Sequence, residues 1–350
     1  MLQAVALAQK SRWQALPNPC VGALLVKGGR VVASGRHKGP GLPHAEVEAL
    51  SDAAARGISP SECSLVVTLE PCRHYGKTPP CTEAVLQAGI RKVLVGALDP
   101  NPEASGGAEI LRAAGVPVEP PVAPEACLAL IAAFIIWQTP GLPYPLLSLA
   151  STLDGRIATR TGESQGISSR ESRKAVHHLR ARVQAVLVGG NTFYRDNPRL
   201  TSRLEQAESA CPEQPLAVVV SSRLPDADAT LHLVSERPES TIFWTGIKEA
   251  DSPKAKKLRT KGVRVLGLPH RSHPAPAQDE GAGLDLAFGL CKLRAEYGCR
   301  YVLCEGGGKL GLSLLRDTLA HEVYLHMAPK IFADNAAAPL FDGLAPEKVD

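Results

Sequence analysis

The stretch SLVVTLEPCRHYGKTPPCTEAVLQAG, residues 64–89, runs from an apolar segment through a loop bounded by two cysteines into a helix-like segment. The apolar run before Glu-Pro predicts a buried strand, and TEAVLQAG predicts a helix that begins beside the second cysteine. Cys72 therefore follows the carboxyl end of a strand, where α/β proteins place their sites. Cys81 lies at the positive end of a helix dipole, which favours a thiolate.

The residues around this stretch alternate between strand-like and helical segments. CVGALLVKGGRVVASG, residues 20–35, predicts a hairpin around Gly28-Gly29. Further segments are a helix after His44, helices near 82–88 and 106–114, and strands at RKVLVGALDP (91–100) and Val116 to Val118. This alternation predicts a mixed, partly parallel sheet with helices on its faces.

The segment TPGLPYP, residues 139–145, carries proline and glycine chain breakers and predicts a boundary between domains at 1–140 and 143–350. Continuous Val/Leu runs beyond it predict strands of a parallel sheet, buried on both faces. These runs are PLLSLAS (145–151), AVLVGG (185–190), PLAVVVSS (215–222), STIFWTG (240–246), VRVLGL (263–268) and RYVLCEGG (300–307). Helices are expected near 170–182, 284–297 and 309–319, and surface loops near 203–215 and 269–283.

Composition bounds the class of protein. The 350 residues suffice for two domains, and 44% apolar with 21% charged residues is globular composition. A net charge of +4 gives little reason to expect nucleic acid as a partner but suits a phosphorylated small molecule. The N-terminus reads as an amphipathic helix rather than a signal peptide, and the longest apolar run, residues 128–137, is about half the ~20 residues that span a bilayer. We expect a cytoplasmic protein that does not bind membranes and whose cysteines are mostly reduced. The sequence is compatible with a homo-oligomer and does not determine the oligomeric state.

LPHAEVEALSDAAARG, residues 42–57, adds an imidazole and a carboxylate to the two cysteines. His44 with Cys72 and Cys81 makes three protein ligands, which leaves the fourth tetrahedral position of Zn²⁺ open for water, as in catalytic sites. Glu46 can then take the proton from water whose pKa the metal lowers to ~7 and deliver it to a substrate. The alternatives are plain core cysteines, or a structural zinc site that another histidine closes.

His-x-Glu followed by Pro-Cys and a second Cys is the signature of zinc nucleobase deaminases, here with eight residues between the cysteines. The wider loop CRHYGKTPPC resembles that of the pyrimidine deaminases of riboflavin biosynthesis, as do PNPCVGALLV (17–26), PHAEVEAL (43–50) and DPNP (99–102). These belong to the bifunctional diaminohydroxyphosphoribosylaminopyrimidine deaminase and 5-amino-6-(5-phosphoribosylamino)uracil reductase family. The resemblance implies a cytidine-deaminase-like three-layer domain with a pocket for a pyrimidine and its ribose phosphate.

By this resemblance, that pocket is lined by Asn18, His37, His74, Lys77, Asp99 and Asn101. Taken singly, each is as typical of a turn or helix cap as of a ligand contact. His37 and His74 are also the histidines that could close a structural zinc site.

Residues 143 to 342 resemble the reductase half of the same family, whose fold is similar to dihydrofolate reductase and whose hydride donor is NADPH. The matching stretches are STLDGRIATRTGESQGISS (151–169), HHLRARVQAVLVGGNTFYRDNPRLTSR (177–203), CEGGGKLGLSLL (304–315) and MAPKIF (327–332). The resemblance implies substrate contacts at Ser164, Arg180, Leu200, Arg203 and Glu305. It implies cofactor contacts at Ala150, Gly166, Thr192, Asp196, Ser221, Gly306, Gly307, Gly308, Lys309 and Leu310.

Some of these implied contacts are also expected from the chemistry of the residues themselves. Three glycines before a helix let backbone N–H groups approach a phosphate, although a glycine triplet is also found in simple tight turns. Arg180 and Arg203 suit a sugar phosphate, since guanidinium binds phosphate in a bidentate manner; their alternative is a charged surface.

Three departures from the family pattern fall in the second half. Ser148 stands where the family usually has a lysine, Gly166 stands where it usually has a tryptophan, and the chain stops at Asp350 where it normally continues to a last strand. The leading interpretation is a two-site enzyme that deaminates a phosphorylated pyrimidine and then reduces its ribosyl chain to ribityl. The alternatives are a deaminase with a degenerate reductase-like domain and a non-catalytic, zinc-stabilised nucleotide-binding protein. A nucleic-acid deaminase is disfavoured because aromatic residues make up only 4% of the chain.

Overall fold

The computed structural model describes residues 1–139, 141–204, 213–271 and 283–341. The chain divides into two compact units, Met1–Thr139 and Pro140–Asp350, called here the N-terminal and C-terminal units. Most of the two predicted surface loops, near 203–215 and 269–283, and the end of the chain from 342 lie outside the described residues. None of the helices in the described ranges has the length and apolar character needed to cross a membrane.

The N-terminal unit contains a five-stranded sheet with the order β2-β1-β3-β4-β5. Its strands are β1 (Gly22–Lys27), β2 (Arg30–Arg36), β3 (Ser64–Leu69), β4 (Lys92–Ala97) and β5 (Val118–Glu119), and its helices are α1 (Leu2–Gln9), α2 (Ala45–Ala55), α3 (Cys81–Gln87), α4 (Gly107–Ala113), α5 (Pro124–Leu130) and α6 (Ala132–Gln138). The hairpin β1–β2 and the pair β1–β3 are antiparallel, while β3, β4 and β5 run parallel. The predicted mixed, partly parallel sheet is therefore confirmed.

Helix α2 packs so closely on the sheet that its backbone approaches the backbone of β2. Its alanines Ala45, Ala49 and Ala53 are fully buried. A Cβ atom placed at Gly35 of β2 would lie 2.3 Å from both the carbonyl oxygen of Ala45 and the amide nitrogen of Ala49. Only glycine leaves room for so close an approach. This contact fixes the first turn of α2, which carries Glu46, against the sheet.

The C-terminal unit contains a seven-stranded sheet with the order β11-β10-β9-β8-β12-β6-β13. The strands are β6 (Tyr144–Thr152), β7 (Arg156–Ala158), β8 (Ala185–Gly189), β9 (Leu216–Val220), β10 (Thr241–Gly246), β11 (Arg264–Leu268), β12 (Tyr301–Cys304), β13 (Glu322–Ala328) and β14 (Ala338–Pro339). The helices are α7 (Arg170–Arg180), α8 (Gly190–Asp196), α9 (His232–Ser235), α10 (Ile247–Ala250), α11 (Pro253–Thr260), α12 (Leu286–Tyr297) and α13 (Gly308–Arg316). All neighbours in the large sheet are parallel, and β7 and β14 form a separate antiparallel pair.

The continuous apolar runs are the buried strands of this sheet, as predicted. Leu146 and Leu147 of β6 and Val186 and Leu187 of β8 are fully buried. Strand β13 was not predicted, because EVYLHMA alternates in polarity instead of forming an apolar run. In the sheet order β13 is the last strand, beside β6; its apolar residues Val323, Leu325 and Met327 are exposed, while the polar residues between them are half-buried.

The backbone contact between α2 and β2 makes Gly35→Ala a test of how the N-terminal unit is assembled. We expect the variant to lose about 1–3 kcal/mol of stability, because the added methyl group must push α2 away from the sheet. The same shift should reduce bound zinc. Urea denaturation and metal analysis of the purified protein measure both effects.

Gly39→Ala is the matched control, since a Cβ atom there would meet its nearest atom, the Gln14 carbonyl oxygen, at an ordinary 3.5 Å. Equal stability of the two variants would show that α2 has room to move.

Candidate functional site

Three metal-binding side chains meet beyond the carboxyl end of β3. His44 is the N-cap residue of α2, Cys72 follows β3, and Cys81 is the first residue of α3. Their ligand atoms all lie within 4.8 Å of one another, with His44 Nδ1 3.2 Å from Cys81 Sγ and 3.6 Å from Cys72 Sγ. Nitrogen and sulfur ligands of a tetrahedral zinc ion are about 3.5 Å apart. The three residues therefore fit a zinc ion.

The charges of the two cysteines point the same way. Hydrogen bonds from Cys81 and from His44 hold the pKa of the Cys72 thiol well below its usual range, in spite of its burial. The hydrogen bond with the Cys72 sulfur and burial in turn raise the pKa of Cys81. Both become thiolates only beside a cation, and thiolate is the form that binds zinc.

A fourth protein ligand is not found among the described residues, where the cluster has these three members. His37, one candidate for closing the site, has both ring nitrogens engaged: Nδ1 lies 3.1 Å from the Pro43 carbonyl oxygen, and Nε2 lies 3.0 Å from Asn18 Nδ2. Three ligands leave the fourth tetrahedral position to water, which is the arrangement of catalytic rather than structural zinc sites.

Glu46 lies two residues after His44, in the first turn of α2, and is 3% exposed. Burial raises the pKa of its carboxyl group to about 7. A carboxylate in this range both accepts and releases a proton near neutral pH, which is the property required of a general acid and base.

A cavity of about 330 Å³ joins Glu46 to the metal-binding cluster. Its wall includes His44, Cys72 and every residue predicted for the pyrimidine pocket: Asn18, His37, His74, Lys77, Asp99 and Asn101. The fold thus brings together residues that are up to 83 positions apart in the chain, from Asn18 to Asn101. Sites of this size, mostly apolar with a few converging polar groups, are typical of small-molecule binding.

Several polar groups in this cavity are held in defined states. Burial lowers the pKa of His37, and its contacts with Pro43 and Asn18 fit a neutral ring. Burial raises the pKa of Asp99 to about 6. His74 Nδ1 is buried with no hydrogen-bond partner in the described part of the chain, which leaves it available to a ligand.

Two residues that support the site were missed from the sequence. Glu70 accepts hydrogen bonds from the backbone N–H groups of Asp99, Gly106 and Ala108, and so holds the loop that carries Asp99 and Asn101. Thr78 Oγ1 lies 3.3 Å from His44 Nε2, on the side of the ring opposite the cysteines, where it orients the imidazole. Two features of the sequence could have indicated them: Glu70 is an acidic residue directly after the apolar strand β3, and Thr78 is a hydroxyl residue between the metal ligands Cys72 and Cys81.

The C-terminal unit has its own cavity, of about 780 Å³, at the carboxyl ends of β8, β9 and β12. Eight of the predicted contacts line it: Ser164, Thr192, Asp196, Ser221, Gly307, Gly308, Lys309 and Leu310. Helix α13 begins at Gly308, so its positive end borders the cavity and suits a phosphate group. Volume, position and charge fit a dinucleotide.

The glycine triplet serves packing as well as ligand approach. A Cβ atom at Gly308 would lie 2.5 Å from the Leu340 carbonyl oxygen, and one at Gly306 would lie 2.7 Å from Leu310 Cδ2. Gly306 is buried and does not line the cavity, whereas Gly307 does.

Most of the predicted substrate contacts of this unit lie elsewhere. Arg180 and Glu305 form a bidentate ion pair, with distances of 2.6 and 2.5 Å, and Arg180 also donates to the Thr201 carbonyl oxygen. Leu200 is 1% exposed and has a left-handed φ of 52°. Arg203 is exposed, and its backbone N–H donates to His177 Nδ1. Of the five, only Ser164 lines the cavity.

The predicted cofactor contacts Ala150 and Gly166 also lie outside the cavity wall. Gly166 has a φ of 81°, and its carbonyl oxygen accepts a hydrogen bond of 2.6 Å from Lys330 Nζ. A Cβ atom there would meet nothing within 4 Å, so the absent tryptophan leaves open space. Ser148 is buried in β6, in register with Tyr324 of β13.

Two family profiles match the chain. The profile described as the RibD C-terminal domain matches residues 143–349, and that of the cytidine and deoxycytidylate deaminase zinc-binding region matches residues 1–97. The riboflavin biosynthesis protein RibD of Aquifex aeolicus is 39% identical over 335 residues, which are 95% of this chain and 87% of that protein. The RibD protein of Chlamydia trachomatis is 36% identical over 345 residues, 98% of this chain and 87% of the relative.

Solved structures agree with this. A Thermotoga maritima protein, named a diaminohydroxyphosphoribosylaminopyrimidine deaminase/5-amino-6-(5-phosphoribosylamino)uracil reductase, superposes with a TM-score of 0.74 at 34% identity, over 100% of this chain and 91% of the other. A crystal form of Acinetobacter baumannii RibD gives a TM-score of 0.71 at 32% identity, over 99% and 90%.

Removal of one thiolate tests the metal cluster. We expect the wild-type protein to hold one zinc ion in the N-terminal unit and Cys81→Ala to lose it, because two remaining ligands bind zinc weakly. Metal analysis after gel filtration measures the content. Cys63→Ala removes a buried thiol outside the cluster and should keep the zinc. Full zinc in Cys81→Ala would refute the assignment.

Proposed function

The chain belongs to the RibD family of riboflavin biosynthesis proteins, and from this premise we propose how its two cavities divide the work. It is a bifunctional enzyme with a zinc-dependent deaminase and an NADPH-dependent reductase activity. We infer that residues 1–140 form the deaminase domain and residues 143–350 the reductase domain. The inferred substrate is 2,5-diamino-6-(5-phosphoribosylamino)pyrimidin-4(3H)-one.

The deamination is proposed to take place beside Glu46. Zinc held by His44, Cys72 and Cys81 supplies a Lewis acid that makes water acidic enough to lose a proton at neutral pH. Glu46 accepts that proton and delivers it to a ring nitrogen as oxygen adds to the amino-bearing carbon. The carboxylate then takes the proton of the newly added hydroxyl group and transfers it to the amine, which leaves as ammonia while the carbon keeps an oxo group. The proposal depends on one observation above all: Glu46 and a three-ligand cluster share one cavity.

The other cavity residues are proposed to bind and orient the substrate. Lys77 suits the ribose phosphate because it is a cation on the wall of the cavity. Asp99 and Asn101 supply carboxyl and amide groups, held by Glu70, for the polar edge of the pyrimidine. His74 offers its unpartnered Nδ1 to the same ligand.

The reduction is proposed for the cavity of the C-terminal unit. NADPH supplies the hydride for C1 of the ribosyl chain, and the protein positions donor and acceptor. The N-terminus of α13 is proposed to bind the pyrophosphate, with Thr192 and Lys309 on the same wall. Ser164 is proposed to hold the sugar end of the substrate, and Asp196, whose side chain lies 3.4 Å from that of Ser164, to face the cofactor.

A deaminase with an inactive second domain remains the alternative. Arg180 and Glu305 satisfy each other in a bidentate pair, so neither charge is available to a substrate unless the pair opens. The burial of Ser148 in place of a lysine favours the same alternative. We also propose that the protein is cytoplasmic.

Glu46→Gln separates metal binding from proton transfer. The variant should keep its zinc but release ammonia from the diaminopyrimidine phosphate about 10²- to 10⁴-fold more slowly, because glutamine cannot accept the proton. A coupled ammonia assay measures the rate. Glu48→Gln, on the same helix, loses an ion pair with Lys38 and should deaminate normally. Undiminished ammonia release by Glu46→Gln would refute the proposed role.

A product-resolved assay tests the reductase domain independently. Given the deaminated product, wild-type protein should oxidise NADPH and form the ribityl compound. Cys81→Ala should do the same at a similar rate, since the altered residue is in the other unit. Ammonia release by wild-type protein without any NADPH oxidation would favour the deaminase-only alternative.

A further inference from the structure

The carboxyl end of β9 forms a separate corner of the large cavity of the C-terminal unit. Ser221, Ser222 and Arg223 follow this strand and line the cavity wall. In the sheet, β9 lies two strands away from β12, the strand that leads to Gly307 and α13. Neighbouring strands are about 4.8 Å apart, so this corner lies ~10 Å from the start of α13. If the pyrophosphate of the cofactor lies at the start of α13, this corner is about as far from the pyrophosphate as the length of one ribonucleoside.

Arg223 is held in place by its backbone. Its carbonyl oxygen accepts hydrogen bonds from the Ser221 hydroxyl at 2.7 Å and from the Tyr194 hydroxyl at 3.1 Å. A Cβ atom at Gly190 would lie 2.6 Å from Ser221 Oγ, so the backbone at the start of α8 packs directly against this serine. The hydroxyl of Ser221 is thus used to fix Arg223, which makes it a positioning residue at this corner.

The guanidinium group of Arg223 also has a rigid support. It lies 4.6 Å from the centre of the Tyr194 ring, in cation–π contact. Tyr194 packs edge to face on Phe193, which packs in the same way on Phe243, and both phenylalanines are fully buried. An arginine supported in this way loses little conformational entropy when it binds an anion.

The charges around Arg223 leave it open to an anion. Within the described ranges no carboxylate forms an ion pair with it, and Asp226, three residues on, pairs instead with Lys254 at 2.9 Å. Arg271 on the same cavity wall is already paired with Asp317 at 2.6 Å. Among the described residues of the wall the one carboxylate is Asp196, at the end of α8, which accepts a hydrogen bond from Ser164.

We propose that Arg223 and the exposed hydroxyl of Ser222 bind the 2′-phosphate of the NADPH adenosine, and that they make this domain select NADPH over NADH. The inference rests on the proposed function, in which this cavity binds NADPH. Sites for NAD place a carboxylate against the adenosine 2′-hydroxyl, whereas sites for NADP use an arginine. Here serines and an arginine occupy the corner where such a carboxylate would stand.

The test compares two probes that differ only in the 2′-phosphate: adenosine 2′,5′-bisphosphate and adenosine 5′-monophosphate. Calorimetry on the full chain should show that wild-type protein binds the bisphosphate about 10- to 100-fold more tightly, as expected for hydrogen bonds to a charged group. Arg223→Gln should lose most of this ratio while its affinity for the monophosphate stays the same. Ser222→Asp should lower the ratio further, because its carboxylate repels the phosphate.

Lys256→Gln, an equal change of charge on exposed α11, is the control and should keep the wild-type ratio. An unchanged ratio in Arg223→Gln and Ser222→Asp, in protein that still binds NADPH, would overturn this inference alone. Failure of wild-type protein to bind NADPH or the bisphosphate would overturn the proposed reductase function with it.

Discussion

Two neighbouring thiols beside one imidazole impose the main constraint on the N-terminal unit, because both sulfurs become thiolates only next to a cation. Each ligand comes from a different element: the start of α2, the loop after β3 and the start of α3. The sheet and both helices must therefore be placed before the ligands can meet. The contact of α2 with Gly35 and the three hydrogen bonds to Glu70 provide that placement.

The cavity of the C-terminal unit is built on a different principle. Its wall includes residues at the carboxyl ends of the parallel strands β8 and β9, together with the first turn of α13. Such a wall suits the phosphates of a cofactor, which need N–H groups and a positive helix end more than any particular side chain. Selectivity is then left to a few supported side chains, of which Arg223 on its aromatic platform is the best defined.

Local sequence was a good guide where one segment carries its own pattern. The hairpin at Gly28-Gly29, the helix after His44 and the apolar strands β8, β9 and β12 all follow from spacing and composition. Strand β13 does not, because its residues alternate in polarity and form no continuous apolar run. The pairing of Arg180 with Glu305 was equally hidden, since the two residues are 125 positions apart and either one alone suits a phosphate or a sugar.

The sequence by itself determined the chemical groups and the family: His44, Glu46, Cys72 and Cys81 in their order, and an α/β fold with two kinds of active site. The tertiary structure decided which groups are available to a ligand. It left His74 Nδ1 unpartnered in the described residues, used the Ser221 hydroxyl to hold Arg223, and closed Arg180 on Glu305. These outcomes depend on distances between residues far apart in the chain, and burial and hydrogen bonding set by those distances change what each group can do.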